Sequence, residues 1–239
     1  MSASEAASQR RDDAGVARER PDLRPSRPVV TLAAFYGAGG TVIGPRVAER
    51  LGVEFLDRGI LKAVAERMHL PEEAAAGYDE PQQEGGIGRL LESLARVPIS
   101  DAAPVDSLVL DEHRYRAETE EFIAAAAVSG GVILGRGGQV VLQSTPGVLH
   151  VMLHGPRDAR VRQGMEVEGI DRKTAERRLE ANDRARIEYV RQAYGVDPLD
   201  PTLYHLIIDS TAIDLDTCVD TIVAASQARM RQEHPAGQA

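Results

Sequence analysis

Gly37-Ala38-Gly39-Gly40-Thr41 stands between an apolar run, Val29 to Phe35, and a stretch in which Ile43, Val47 and Leu51 recur every fourth residue. A strand that passes through glycines straight into a helix start aims several backbone N–H groups, and the positive end of the helix dipole, at one spot. Such a turn is a cradle for phosphate, although an ordinary glycine-rich βα turn fits the same residues. Three further groups carry charge toward that chemistry. Asp57-Arg58 follows the short apolar segment Val53 to Leu56, and Arg136 is bracketed by glycines in Gly135-Arg136-Gly137-Gly138 after Val132-Ile133-Leu134. Arg160, Arg162, Arg184 and Arg186 lie in the most charged part of the chain, where the planar guanidinium fork suits phosphate neutralisation.

The elements that must position these residues alternate. Apolar runs at Val29–Phe35, Val53–Leu56, Val132–Leu134, Val148–Leu153 and Leu203–Ile208 read as strands, and the amphipathic stretches between them as helices. That alternation predicts a parallel sheet with helices on both faces. Pro45 is expected in the first turn of the helix after the glycines, with Gly52 closing it. Pro156 reads as the first residue of the next helix, Asp171 as the cap of a long helix ending at Gly195, and Asp214 as the cap of the last. Glu176 and Glu180 with Arg184 have the spacing of solvated i,i+4 pairs.

The 239 residues, 43% hydrophobic and 27% charged, suffice for one α/β domain with a core. A net charge of −9 argues against a general nucleic-acid partner, which would need a basic footprint. A single cysteine, Cys218, excludes an internal disulfide and a cysteine zinc cluster. No apolar stretch is long enough to span a membrane and no signal peptide is legible, so a cytoplasmic setting is expected. Residues 1–27 have almost nothing apolar to bury and read as a disordered tail before a domain over 28–232, with 233–239 a flexible end. Pro71 to Ser107, rich in Pro, Gly, Gln and Glu, reads as a helical insert over the site.

Taken in order, the glycine turn with Thr41, Phe55-Leu56-Asp57-Arg58, Ile133-Leu134-Gly135-Arg136-Gly137-Gly138, and Asn182-Asp183-Arg184-Ala185-Arg186 followed by Asp209-Ser210-Thr211 resemble the cytidylate-kinase-like branch of the P-loop nucleoside monophosphate kinases. The resemblance covers about Val29 to Ala225. It implies a P-loop NTPase-type five-stranded parallel sheet flanked by helices, a monophosphate-binding insert at about 62–107 and a lid at about 163–201. It also implies transfer of the ATP γ-phosphoryl to a small-molecule nucleotide, CMP or dCMP, with Mg2+. On this resemblance the amides of Gly37, Ala38, Gly39, Gly40 and Thr41 hold the β-phosphate and the Thr41 hydroxyl meets magnesium. Asp57 and Arg58 contact the acceptor and Arg136 its phosphate, while Arg160, Arg184 and Arg186 gather charge from the transferring group.

The chain departs from the GxxxxGK[ST] pattern: Gly40 stands at the lysine position and Ala34 at the first glycine. A glycine in place of that lysine is common to the branch. Leu134 and Gly137 occupy positions where better-characterised cytidylate kinases carry Glu and Asp, which leaves Asp57 or Asp209 to replace the missing magnesium-side acid. Two other readings stay open: a non-catalytic nucleotide-binding module, and a phosphotransferase for another small-molecule acceptor.

Overall fold

Val29-Val30-Thr31-Leu32-Ala33-Ala34 forms the central strand β1, apolar along nearly its whole length because both faces and both edges are covered. The computed structural model describes residues 25–57 and 106–233. The expected tail up to residue 24, Arg58, the insert up to residue 105 and the last six residues lie outside the described residues. Order reaches back before Pro28, since Arg27 donates to the Gly52 carbonyl.

Helix α1 (Gly40–Leu51) follows β1, then β2 (Glu54–Leu56), α2 (Asp106–Ser129), β3 (Gly131–Leu134), the short α3 (Gly138–Val141) and β4 (Leu149–His154). Helices α4 (Arg157–Glu168) and α5 (Arg172–Tyr194) come next, then a 3-10 turn (Pro201–Leu203), β5 (Leu206–Asp209) and α6 (Leu215–Glu233). The five strands are all parallel, in the order β2-β3-β1-β4-β5. The chain leaves β1 toward β2 and β3 on one side and later returns to β4 and β5 on the other. The carboxyl end of β1 is therefore the switch point of the sheet, where α/β proteins open a crevice.

The sheet is doubly wound. Ile43 and Val47 of α1 pack with Cys218, Val219 and Ile222 of α6 over one face, and Ile123 of α2 with Val29, Ile133, Leu142 and Val148 over the other. Arg46 with Asp216 and Arg50 with Asp220 tie α1 to α6 at the surface, where such pairs contribute little. Helices α4 and α5 have a small core of their own, Val161, Ala175 and Leu179, against which Tyr36 packs from the glycine turn.

Several local expectations shift by a residue or a turn. Helix α1 begins at Gly40, so Pro45 is inside the helix instead of in its first turn and removes a donor for the Thr41 carbonyl. Pro156 is the residue before α4, with extended ψ of 142°. Leu203 belongs to the 3-10 turn and β5 starts at Leu206. The pairs on α5 differ too: Glu176 bonds Arg172 and Glu180 bonds Arg157 on α4, neither reaching Arg184. Gly52, Asp171, Gly195 and Asp214 cap the helices as expected, the glycines in left-handed backbone and the aspartates accepting from Thr174 and Thr217. No helix among the described residues is long and apolar enough to cross a membrane.

Candidate functional site

Two glycine turns lie side by side at the carboxyl edge of the sheet, one after β1 and one after β3. In the first, the Ala38 N–H closes onto the Phe35 carbonyl at 3.0 Å, and Gly39, with φ 72°, caps α1 by accepting from Val42 and Ile43. The N–H groups of Gly40 and Thr41 then have no intrahelical acceptor. Gly37, also at φ 72°, lies so close to the α4 backbone that an added Cβ would be 2.0 Å from the Arg160 carbonyl oxygen. Ser210, after β5, supports the turn from beneath by donating to the Ala38 carbonyl at 2.8 Å.

Gly40 has no room for a side chain. An added Cβ would lie 2.6 Å from the Ala34 Cβ and 3.2 Å from Leu134 Cδ1. Ala34 and Leu134, the last residue of β3, thus close the space that the stem of a lysine at position 40 would enter.

The second turn places Arg136 at φ 57°, the one non-glycine residue with positive φ among the described residues. Such backbone costs on the order of 1 kcal/mol and persists where surroundings enforce it. Here α5 enforces it: the Tyr194 ring fills the space beside Gly137, where an added Cβ would lie 2.3 Å from Cε2, and its hydroxyl donates to the Arg136 carbonyl at 3.3 Å.

Helix α5 also grips the first turn. Asp183 accepts the Tyr36 N–H at 3.0 Å through Oδ1 and pairs with Arg160 at 2.8 Å through Oδ2. Arg160, almost fully buried, also donates to the carbonyls of Tyr36 (2.8 Å) and Gly155 (3.0 Å) and lies 5.2 Å over the Phe35 ring. Its guanidinium is committed to the protein. The Tyr36 ring rests on Gly164 of α4, where an added Cβ would lie 2.9 Å away.

Between the turns is a cavity of about 250 Å³ whose lining includes Thr41, Asp57, Leu134, Arg136, Asn182 and Arg186. Arg186 Nη1 is buried with no hydrogen-bond partner. Burial, and next the nearby charge of Arg136, push the Arg186 pKa below its ordinary value, while Asp183 and Asp57 act the other way. Two cations converge on one cavity beside open amides, an arrangement that an anion would relieve.

Of the residues expected from sequence, the structure brings together Gly37, Gly39, Gly40, Thr41, Asp57, Arg136 and Arg186 around this cavity. Ala38 is buried behind the turn. Arg160 is locked beneath it, and Arg162 and Arg184 are exposed and do not line it. Asp209 is turned onto its own loop, accepting from the Thr211 N–H and hydroxyl at 3.0 and 2.6 Å, so of these two aspartates Asp57 is the one on the cavity wall, which Glu168 also lines. Neither Asp183, quoted above only as part of a landmark, nor Tyr194 shows its role here by residue type. The available signal was helical spacing, since 183, 186, 190 and 194 fall on one face of α5.

A profile of the cytidylate kinase-like family matches residues 29–212. The chain is 25% identical over 207 residues to a cytidylate kinase from Methanopyrus kandleri, covering 87% of this chain and 97% of that protein. A 131-residue stretch is 29% identical to part of a uronate isomerase from Corynebacterium glutamicum, covering 55% of this chain and 25% of that one. The fold matches a crystal structure of an uncharacterized protein from Eubacterium ventriosum at a TM-score of 0.58 and 19% identity, over 85% of this chain and all of that one. With two glycine turns at the switch point of a parallel sheet and a family match across both, the chain belongs to the cytidylate kinase-like family.

Proposed function

We propose that the protein transfers the γ-phosphoryl group of ATP to a nucleoside monophosphate, with CMP or dCMP as the acceptor. The observation that carries this reading is the convergence of Arg136 and Arg186 on one cavity with the glycine turn. The turn supplies amides for the donor phosphates, and the two arginines supply a fork for the acceptor phosphate. The pyrimidine preference rests on the family and on the cytidylate kinase relative.

Phosphoryl transfer is catalysed by positioning and charge stabilisation, so a chain without the usual lysine needs another cation aimed at the transferring group. Arg186, with a buried unpartnered nitrogen, fills that role as well as contacting the acceptor phosphate, whereas Arg184, exposed and off the cavity wall, takes no part. Arg160 holds the turn and not the nucleotide. Mg2+ suits the hard oxygen donors of Thr41 and Asp57 on the cavity wall, because it takes one or two protein ligands and fills the rest with phosphate oxygens and water. Once bound it would neutralise charge between donor phosphates. Asp57, the residue after β2, then stands between the metal and the acceptor, and Arg58 belongs to the acceptor side on the family resemblance alone.

ADP release measured by a coupled assay with CMP, dCMP, UMP and AMP tests the proposal. Turnover with CMP or dCMP well above that with AMP is expected. The closed space at Gly40 favours a second reading, a nucleotide-binding module without catalysis. ATP binding with no turnover on any acceptor would select it.

A further inference from the structure

We propose that Tyr194 is a positioning residue that sets the direction of Arg136, so that α5 aims both arginines of the cavity, one directly and one through the second glycine turn. The inference rests on the reading that Arg136 holds an acceptor phosphate.

Four observations converge on Tyr194. Its ring occupies the space that a side chain on residue 137 would take, so Gly137 and Tyr194 are complementary in shape. Its hydroxyl donates to the carbonyl of Arg136, the residue whose backbone is left-handed. Tyr189 meets the ring edge-on, with centroids 6.1 Å apart, which limits its tilt. Arg116 of α2 donates to the Ala193 carbonyl at 2.7 Å and ties down this end of the helix. A left-handed arginine relaxes toward ordinary backbone when such supports are removed, and relaxation at φ swings the side chain away from the cavity. Arg186 is eight residues earlier on the same rigid helix. The separation of the two guanidinium groups is therefore set by one element.

Tyr194→Ala and Tyr194→Phe, studied in the full-length protein, test this. Amide hydrogen exchange without ligand and calorimetric titration with CMP and with the ATP analogue AMP-PNP give independent readouts. Tyr194→Ala is expected to speed exchange at Gly135–Gly138 and to weaken CMP binding at least tenfold, while AMP-PNP affinity stays within about threefold. Tyr194→Phe, which keeps the ring in its socket, is expected to restore most of the CMP affinity. Equal losses for both ligands, or no change at Gly135–Gly138, would overturn the inference, because a general loss of packing would act on both sides. If the unsubstituted protein binds neither nucleotide, the functional reading fails, and the exchange arm alone decides whether Tyr194 holds the turn.

Discussion

Gly40 and Ala34 stand so close that a Cβ added to Gly40 would lie 2.6 Å from the Ala34 Cβ, with Leu134 Cδ1 at 3.2 Å. The obstacle is a methyl group fixed to the central strand, not the end of a flexible side chain. Gly40→Ala is therefore expected to destabilise the protein by about 1–3 kcal/mol, the usual range for overpacking a filled site. Gly40→Lys is expected to do at least as much and to create no new activity. Urea denaturation of the two variants checks this, and a fully stable Gly40→Lys protein would show that the space opens easily.

The Arg160–Asp183 pair, with Arg160 buried and Asp183 largely so, joins α4, α5 and the first glycine turn. Removing one partner leaves the other charge desolvated, which typically costs about 3–5 kcal/mol. Asp183→Ala is expected to fall in that range and Asp183→Asn below it, since the amide oxygen can still accept the Tyr36 N–H. Chemical denaturation curves give both values, and a cost for Asp183→Ala within 0.5 kcal/mol of zero, as is usual for exposed pairs, would show that the contact is loose.

His150 makes stability pH-dependent. Its ring is buried between Thr31, whose Oγ1 is 2.8 Å from Nδ1, and the stacked ring of His205, with Arg229 nearby. Burial first, and then the charges of His205 and Arg229, push its pKa down to about 4, and His205 shifts the same way. The unfolded chain, with a pKa near 6.5, binds more protons than the folded chain between those values, so stability is complete above about pH 6.5 and falls as pH drops toward 4. The loss from His150 amounts to about 3 kcal/mol. Melting temperatures from pH 7.5 to 4.5 are expected to decline in the unsubstituted protein and to decline less in His150→Gln.

Arg136→Ala is expected to raise KM for the acceptor tenfold or more and KM for ATP less than threefold, as for loss of charge-assisted hydrogen bonds on one side of the cavity. Steady-state kinetics with each substrate varied in turn separate the two. Equal effects would place Arg136 elsewhere.

Much of this architecture is legible in the chain because local physics determines it. The unbroken apolar run of β1 marks a strand covered on both faces, and Gly52 and Gly195 mark helix ends where the backbone must turn left-handed. Arg136 between glycines is legible as a charge presented by a turn. The arginines of α4 and α5 are different, because Arg160, Arg184 and Arg186 are equivalent by type and only tertiary packing decides which faces the cavity, which is buried and which meets solvent. Asp183 was hidden for the same reason, since its two partners, Tyr36 and Arg160, come from distant parts of the chain. The shape match of Gly137 with Tyr194 leaves no sequence pattern at all.

The most direct test of the phosphate site between Arg136 and Arg186 is a pair of calorimetric titrations, with CMP and with cytidine, on the unsubstituted protein and on Arg136→Ala/Arg186→Ala. Two charge-assisted contacts are each expected to contribute about 1.5–3 kcal/mol, so CMP is expected to bind at least a hundredfold tighter than cytidine, and the double variant to lose that advantage. Equal affinity for CMP and cytidine in the unsubstituted protein would contradict the account.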